Sequence, residues 1–202
     1  MTEIRNVAEG FWIWRIRPEA WPTGLTSTCV ACGGEVLLLD ASAPLDDGAE
    51  LWRRLDAMPP TALVVLKPDH VRDLDLFAQR YDVPAYGPWL FQRDDVPATE
   101  LEPIEPGSVL PGGPVALYDG RGRGETPLWL PEQRTLVFAD ALLAPHGELR
   151  VWDCPSLAER ALPALRAMLS LPFERVLVSH GEPLHDRAAF ERALELPALQ
   201  GD

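Results

Sequence analysis

Four apolar runs of this chain end on ionisable side chains: VLLLD (36–40), ALVVLKPDH (62–70), TLVFAD (135–140) and VLVSH (176–180). Runs of this length, rich in Val, Leu and Phe and cut off by turn residues, read as buried strands. A buried strand can deliver a charged terminus only to the carboxyl edge of its sheet, and open sheets gather ligands outside such edges. If the four strands lie side by side in the same sense, Asp40, Lys67, Asp69, His70, Asp140 and His180 meet on one edge. Any one of them alone reads as a turn or helix cap, as Asp40 before ASAP does. Four coinciding caps form the less economical account. Two Asp and two His make an oxygen/nitrogen donor set suited to Zn, Mn or Fe.

The order of elements limits the architecture further. FWIWRIR (11–17) alternates in the period of a strand, and 25–40 reads as a hairpin turning at Gly33-Gly34. A helix over 46–57, a strand over 62–67, a helix over 71–81 and a short strand over 84–86 follow. Residues 87–113, rich in Pro, Gly and acids, read as an irregular connection. Strands are then expected over 114–119, 126–131 and 135–140, a helix over 156–170, a strand over 175–180 and a helix over 186–195. Each half thus runs strands first, then helix, strand, helix. That is not the strict alternation of a doubly wound sheet. The expected fold is α+β: two mixed β-sheets packed face to face with helices outside, in one domain spanning 1–202.

Charge removes some partners. The 202 residues carry a formal net charge of -13, which repels phosphate backbones and anionic membranes. Neither nucleic acid nor membrane is an expected partner. No apolar run reaches the length of a membrane span, and the N-terminus MTEIRNVAEG lacks the pattern of a signal peptide. Three cysteines, an odd number, fit a reducing compartment, so the expected location is the cytoplasm. Cys29-Val30-Ala31-Cys32 resembles half of a zinc ribbon, but residues three apart on a strand face opposite sides. The pair reads as small buried hydrophobes. GRGRG (120–124) precedes no helix, so it is not a P-loop. Nothing in the sequence specifies an oligomeric state.

Four stretches carry a resemblance to a known family: GGEVLLLDAS (33–42), VLKPDHVRDLDLFAQRY (65–81), GRGRGETPLWLPEQRTLVFADALL (120–143) and VLVSHGEP (176–183). Over nearly its whole length the chain resembles the metallo-β-lactamase superfamily, the αββα sandwich of glyoxalase II-type hydrolases. The resemblance implies that fold and a metal-dependent hydrolase activity. It also implies a damaged motif. The three histidines of the family's first metal site fall on Val65, Lys67 and Arg121, whereas the second-site ligands fall on Asp69, His70, Asp140 and His180, all present. Asp40 matches an Asp that organises the loop behind the metal.

Two readings follow, and a third class stands beside them. Three missing ligands favour a centre that has lost its metal and keeps an ionisable pocket, neutralised by Lys67 and Arg121 against Asp69 and Asp140, with Lys67 pairing with Asp140 and Arg121 gripping a carboxylate. The alternative is a hydrolase using a single Zn, Mn or Fe at Asp69, His70, Asp140 and His180, with Asp69, Lys67 and Arg121 in catalytic roles. Under either reading a small anionic molecule is the expected ligand, contacted by Arg121, Arg123 and His185. The third class is a non-catalytic interaction or sensing module.

Overall fold

The computed structural model describes residues 2–88, 96–121 and 124–200. Alternation inside single strands sorts its core. Leu37 and Leu39 face one apolar cluster and Leu38 another; Val137 faces the first cluster while Leu136 and Phe138 face a third. Side chains at period 2 must point to opposite faces of a sheet, so both faces of both sheets are covered.

The first sheet contains seven strands in chain order: β1 (Glu3–Ala8), β2 (Phe11–Ile16), β3 (Leu25–Cys32), β4 (Glu35–Leu39), β5 (Ala62–Val64), β6 (Ala85–Gly87) and β7 (Leu101–Pro103). The first four pair antiparallel, and β4 through β7 run parallel. Parallel neighbours need crossovers: helix α1 (Ala49–Ala57) supplies the one from β4 to β5 and α2 (Leu74–Tyr81) the one from β5 to β6. α1 buries Leu51 and Leu55, one turn apart on one face, and α2 buries Leu74 and Phe77. Both press onto Trp12, Trp14, Leu38, Leu63 and Val65 of the sheet.

The second half supplies β8 (Val115–Ala116), β9 (Leu128–Leu130) and β10 (Thr135–Phe138), a separate hairpin of β11 (Leu142–Leu143) and β12 (Arg150–Val151), then β13 (Arg175–Val178) and β14 (Leu184–Asp186). The second sheet has the order β14-β13-β10-β9-β8, with β10 and β13 parallel. Its outer face packs on a helical segment that opens with a π-turn (Leu157–Ala161), continues as α3 (Leu162–Ala167) and closes with a 3-10 turn (Met168–Ser170), and on α4 (Arg187–Ala193). The inner faces of the two sheets interdigitate through Val30, Leu37, Leu39, Val64 and Leu66 against Leu128, Leu130, Val137 and Leu177. The result is the expected αββα sandwich.

Several expectations change. The six-residue strand 62–67 ends as a ladder strand at Val64, because the Leu66 N–H bonds the Asp40 carboxylate at 2.8 Å instead of a neighbouring strand. Strand 114–119 shrinks to two residues. β1, β7, β14 and the β11–β12 hairpin were not expected, β7 lying inside the stretch 87–113 that reads as irregular; β1, β7 and β14 are edge strands with no fully buried residue, so they lack an apolar period. The four strand ends also do not share one sheet edge. They form two parallel pairs, β4 with β5 and β10 with β13, in two different sheets. Among the described residues, no helix is long and apolar enough to cross a membrane.

Candidate metal centre

Register levels the two ends contributed by the second sheet. Phe138 pairs with Val178 across β10 and β13, so Asp140 and His180, each two residues further on, emerge side by side. The His180 carbonyl accepts the Ala144 N–H at 3.0 Å, and the chain then turns through Gly181 at φ 86. A Cβ on Gly181 would lie 1.9 Å from the Ala144 carbonyl oxygen, so only glycine allows this approach.

In the first sheet the turn after β5 is closed by the His70 N–H donating to the Lys67 carbonyl at 2.9 Å. Pro68 occupies the second position of that turn, where its fixed φ is favoured. Asp40, buried at the end of β4 with φ 46, backs the turn from behind. Its Oδ1 accepts the Leu66 N–H, and its Oδ2 lies 2.8 Å from His70 Nδ1. Its main-chain oxygen accepts from Ser27 Oγ at 2.8 Å and from Arg72 Nη1 at 2.6 Å. Burial alone would lower the His70 pKa, but the Asp40 charge, with help from Asp140, overcomes it and lifts it to about 9.

With Nδ1 committed to Asp40, His70 presents Nε2 to the second sheet. His70 Nε2 lies 3.3 Å and His180 Nε2 3.1 Å from the same atom, Asp140 Oδ1. One atom from each of the three residues lies within 4.8 Å of the others. That Asp140 oxygen is buried and has no aligned hydrogen bond. Three donor atoms that converge on one point at 3.1–3.3 Å fit a cation between them. Two imidazoles and a carboxylate are a zinc-type set, and the Asp40–His70 pair is the carboxylate–histidine support that fixes a ligand's tautomer.

Lys67 closes the other side. Its Nζ lies 2.6 Å from Asp69 Oδ2 and 2.5 Å from Asp140 Oδ2. Burial would raise the Asp140 pKa, yet the His180 and His70 imidazoles and the Lys67 ammonium hold it far below the usual carboxylate range. Burial likewise opposes a charged Lys67, and Asp140 and Asp69 outweigh it and raise its pKa. Asp69 therefore stands beside the ammonium and outside the His70–Asp140–His180 group.

The other predicted residues are distributed differently. The Arg121 guanidinium does not grip a carboxylate of the centre. Its Nη2 donates to the carbonyls of Ala141 (3.0 Å) and Trp152 (2.6 Å), and its Nε sits 3.6 Å from Asp119. The side chain that holds the N–H groups of the Asp140 segment is Glu125, which the sequence reading missed. Its carboxylate accepts the N–H groups of Ala139 (2.8 Å), Asp140 (2.7 Å) and Ala141 (2.6 Å). Burial, reinforced by Asp119 and Asp140, pushes Glu125 up to about 7. A lone Glu ahead of Thr126-Pro127 at the entry to a buried strand was its only signal. Arg123 lies outside the described residues. His185 is on β14, its Nε2 2.7 Å from the Glu182 carbonyl, lining a separate cavity of about 250 Å³ with Glu148 and Arg192. Two further residues went unnoticed: Arg72, behind Asp40, and Trp21, 53% exposed with its ring 5.4 Å from that of His180.

Cys29 and Cys32 do face opposite sides, one in the helix-covered cluster and one between the sheets. Burial pushes their thiols up to about 12 and about 11. Cys154 is only half-buried. A thiol reagent should therefore titrate one cysteine per native chain, Cys154, and three only in denaturant.

No family model matches the chain, and no curated protein matches it. Solved structures do. A metallo-beta-lactamase from Pontibacter korlensis is 17% identical, with 98% of this chain and 100% of that one covered at a TM-score of 0.72. The metallo-beta-lactamase FIM-1 from Pseudomonas aeruginosa, in its mono-zinc form, is 16% identical over 96% and 95% of the two chains, with a TM-score of 0.68. A metallo-beta-lactamase from Erythrobacter litoralis is 17% identical over 96% and 91%, with a TM-score of 0.66. At such identities the shared property is the backbone architecture, and it extends over both sheets and their helices: the chain has the metallo-β-lactamase fold.

Proposed function

We propose that this protein is a metal-dependent hydrolase that works with a single divalent ion, held by His70, Asp140 and His180. The observation that carries the reading is the convergence of two imidazole nitrogens on one buried Asp140 oxygen that lacks a hydrogen bond. The structural neighbours named above support it. A divalent ion bound there supplies Lewis-acid polarisation and activates water near neutral pH. The chain's own residues do the rest. Asp40 holds the His70 ring and its tautomer. Lys67 adds to the two imidazoles in keeping Asp140 ionised and places a positive charge beside the ligand set, which suits a small anionic substrate. Trp21 offers an exposed apolar wall next to His180.

Protein purified without chelator should carry about one Zn, Mn or Fe per chain by elemental analysis. The His180→Ala variant should lose it, with affinity falling by more than the roughly 10–100-fold expected for a supporting residue. Wild-type protein that is metal-free and takes up no added zinc would end this reading. One observation favours a metal-free network instead: Lys67 and a charged His70 already neutralise Asp140 and Asp40 without an ion. The same analysis separates the two.

A further inference from the structure

Asp140 has two oxygens, and they face different partners. Oδ1 faces the two imidazoles, and Oδ2 lies 2.5 Å from Lys67 Nζ. On its far side the same ammonium lies 2.6 Å from Asp69 Oδ2. Two carboxylates brought this close repel unless a proton or a cation sits between them. Here the cation is a side chain.

We infer that Lys67 is a built-in second cation: its ammonium fills the position between Asp69 and Asp140 that a second metal ion would otherwise take, and so limits the centre to one ion. This rests on the single-ion reading of the His70–Asp140–His180 group. Placement supports it independently. Asp69 follows Pro68 in the turn closed by the Lys67 carbonyl and the His70 N–H, so its carboxylate is delivered to the Lys67 side. Neither carboxylate is deeply buried, with side-chain exposures of 34% for Asp69 and 20% for Asp140. An ion arriving from solvent could therefore reach the pair if the ammonium were absent. A compact ammonium with three donors and no acceptor cannot ligate a metal. It also repels one from the space it holds. Tethering the charge makes it independent of metal supply, and the third N–H remains for an anionic oxygen.

Metal count tests the inference without any substrate. Zinc stoichiometry would be measured by equilibrium dialysis and elemental analysis on the wild type and on Lys67→His, Lys67→Gln and Lys67→Arg, with circular dichroism and thermal melts confirming the fold. Lys67→His removes the charge and adds a nitrogen ligand to two carboxylates, so it should bind two zinc ions where the wild type binds one. Lys67→Gln should admit the second ion at least tenfold more weakly, and it carries the test if the histidine variant fails to fold. Lys67→Arg keeps the charge and should stay at one. If the wild type binds one ion and neither neutral, folded variant binds more, the role of Lys67 is overturned and the single-ion reading survives. If the wild type binds none while Lys67→His binds one, the single-ion reading fails and Lys67 stands as the occupant of a cation site.

Discussion

Replacing Asp40 with Ala is expected to cost about 3–5 kcal/mol, the range for removing one partner of a buried charge pair. The carboxylate is almost inaccessible and serves the Leu66 N–H and His70 Nδ1 directly. In metal-free protein, alanine would leave a buried amide without an acceptor and a buried imidazolium with Asp140 alone as its counter-charge. Asp40→Asn keeps the shape and an acceptor, so it should cost less and report on charge alone. Its diagnostic is pH. His70 is lifted above its ordinary value to about 9. In chelated wild-type protein its contribution should be complete below about pH 6.5 and lost as pH rises through 9, on the order of 3 kcal/mol. In Asp40→Asn that loss should move toward pH 6.5 and shrink. Urea unfolding at pH 6, 7.5 and 9.5 measures both. An alkaline limb unchanged in the Asn variant would sink the assignment of His70 to Asp40. Metal affinity should also fall roughly 10–100-fold, as for other supporting carboxylates.

The second large effect belongs to Glu125→Ala. One buried carboxylate accepts three consecutive main-chain N–H groups, those of Ala139, Asp140 and Ala141. Removing it strands all three in a dry site, at about 1–3 kcal/mol each, and frees the segment that aims Asp140. Stability should drop by about 3–9 kcal/mol, and zinc binding should weaken even at temperatures where the variant remains folded. Glu125→Gln retains an acceptor oxygen but turns an amide N–H₂ toward donors, so it should recover only part of the loss. Denaturant melts together with zinc titration read both quantities. A Glu125→Ala protein with wild-type stability would show that these amides find other partners.

Arg121 and Glu125 show where reading the chain stops. Both sit in one glycine-rich stretch, and sequence order favoured Arg121 as the group facing the centre. Its hydrogen bonds instead go to Ala141 and Trp152, 20 and 31 residues away. Such a direction depends on where a distant carbonyl ends up, and no local pattern encodes that. Lys67 was different. Only Pro68 separates it from Asp69, so short-range geometry already brings an ammonium to a carboxylate. Edge strands were missed for a related reason. β1 and β14 are held by pairing with β2 and β13, and a strand defined by its neighbour's hydrogen bonds needs no apolar period of its own.

By itself, then, the sequence determined the apolar alternation that forces two covered sheets, the parallel strands whose ends carry charge, and the proline turn that presents Lys67, Asp69 and His70. Those are local matters of period, propensity and turn chemistry. Only the tertiary structure decided that the four charged ends divide between two sheets and meet across them. It alone aimed His70 Nε2 and His180 Nε2 at one Asp140 oxygen, turned Arg121 away and placed Glu125 beneath. Each of those outcomes rests on a contact between residues distant in the chain, and its energy exists only once both sheets have packed.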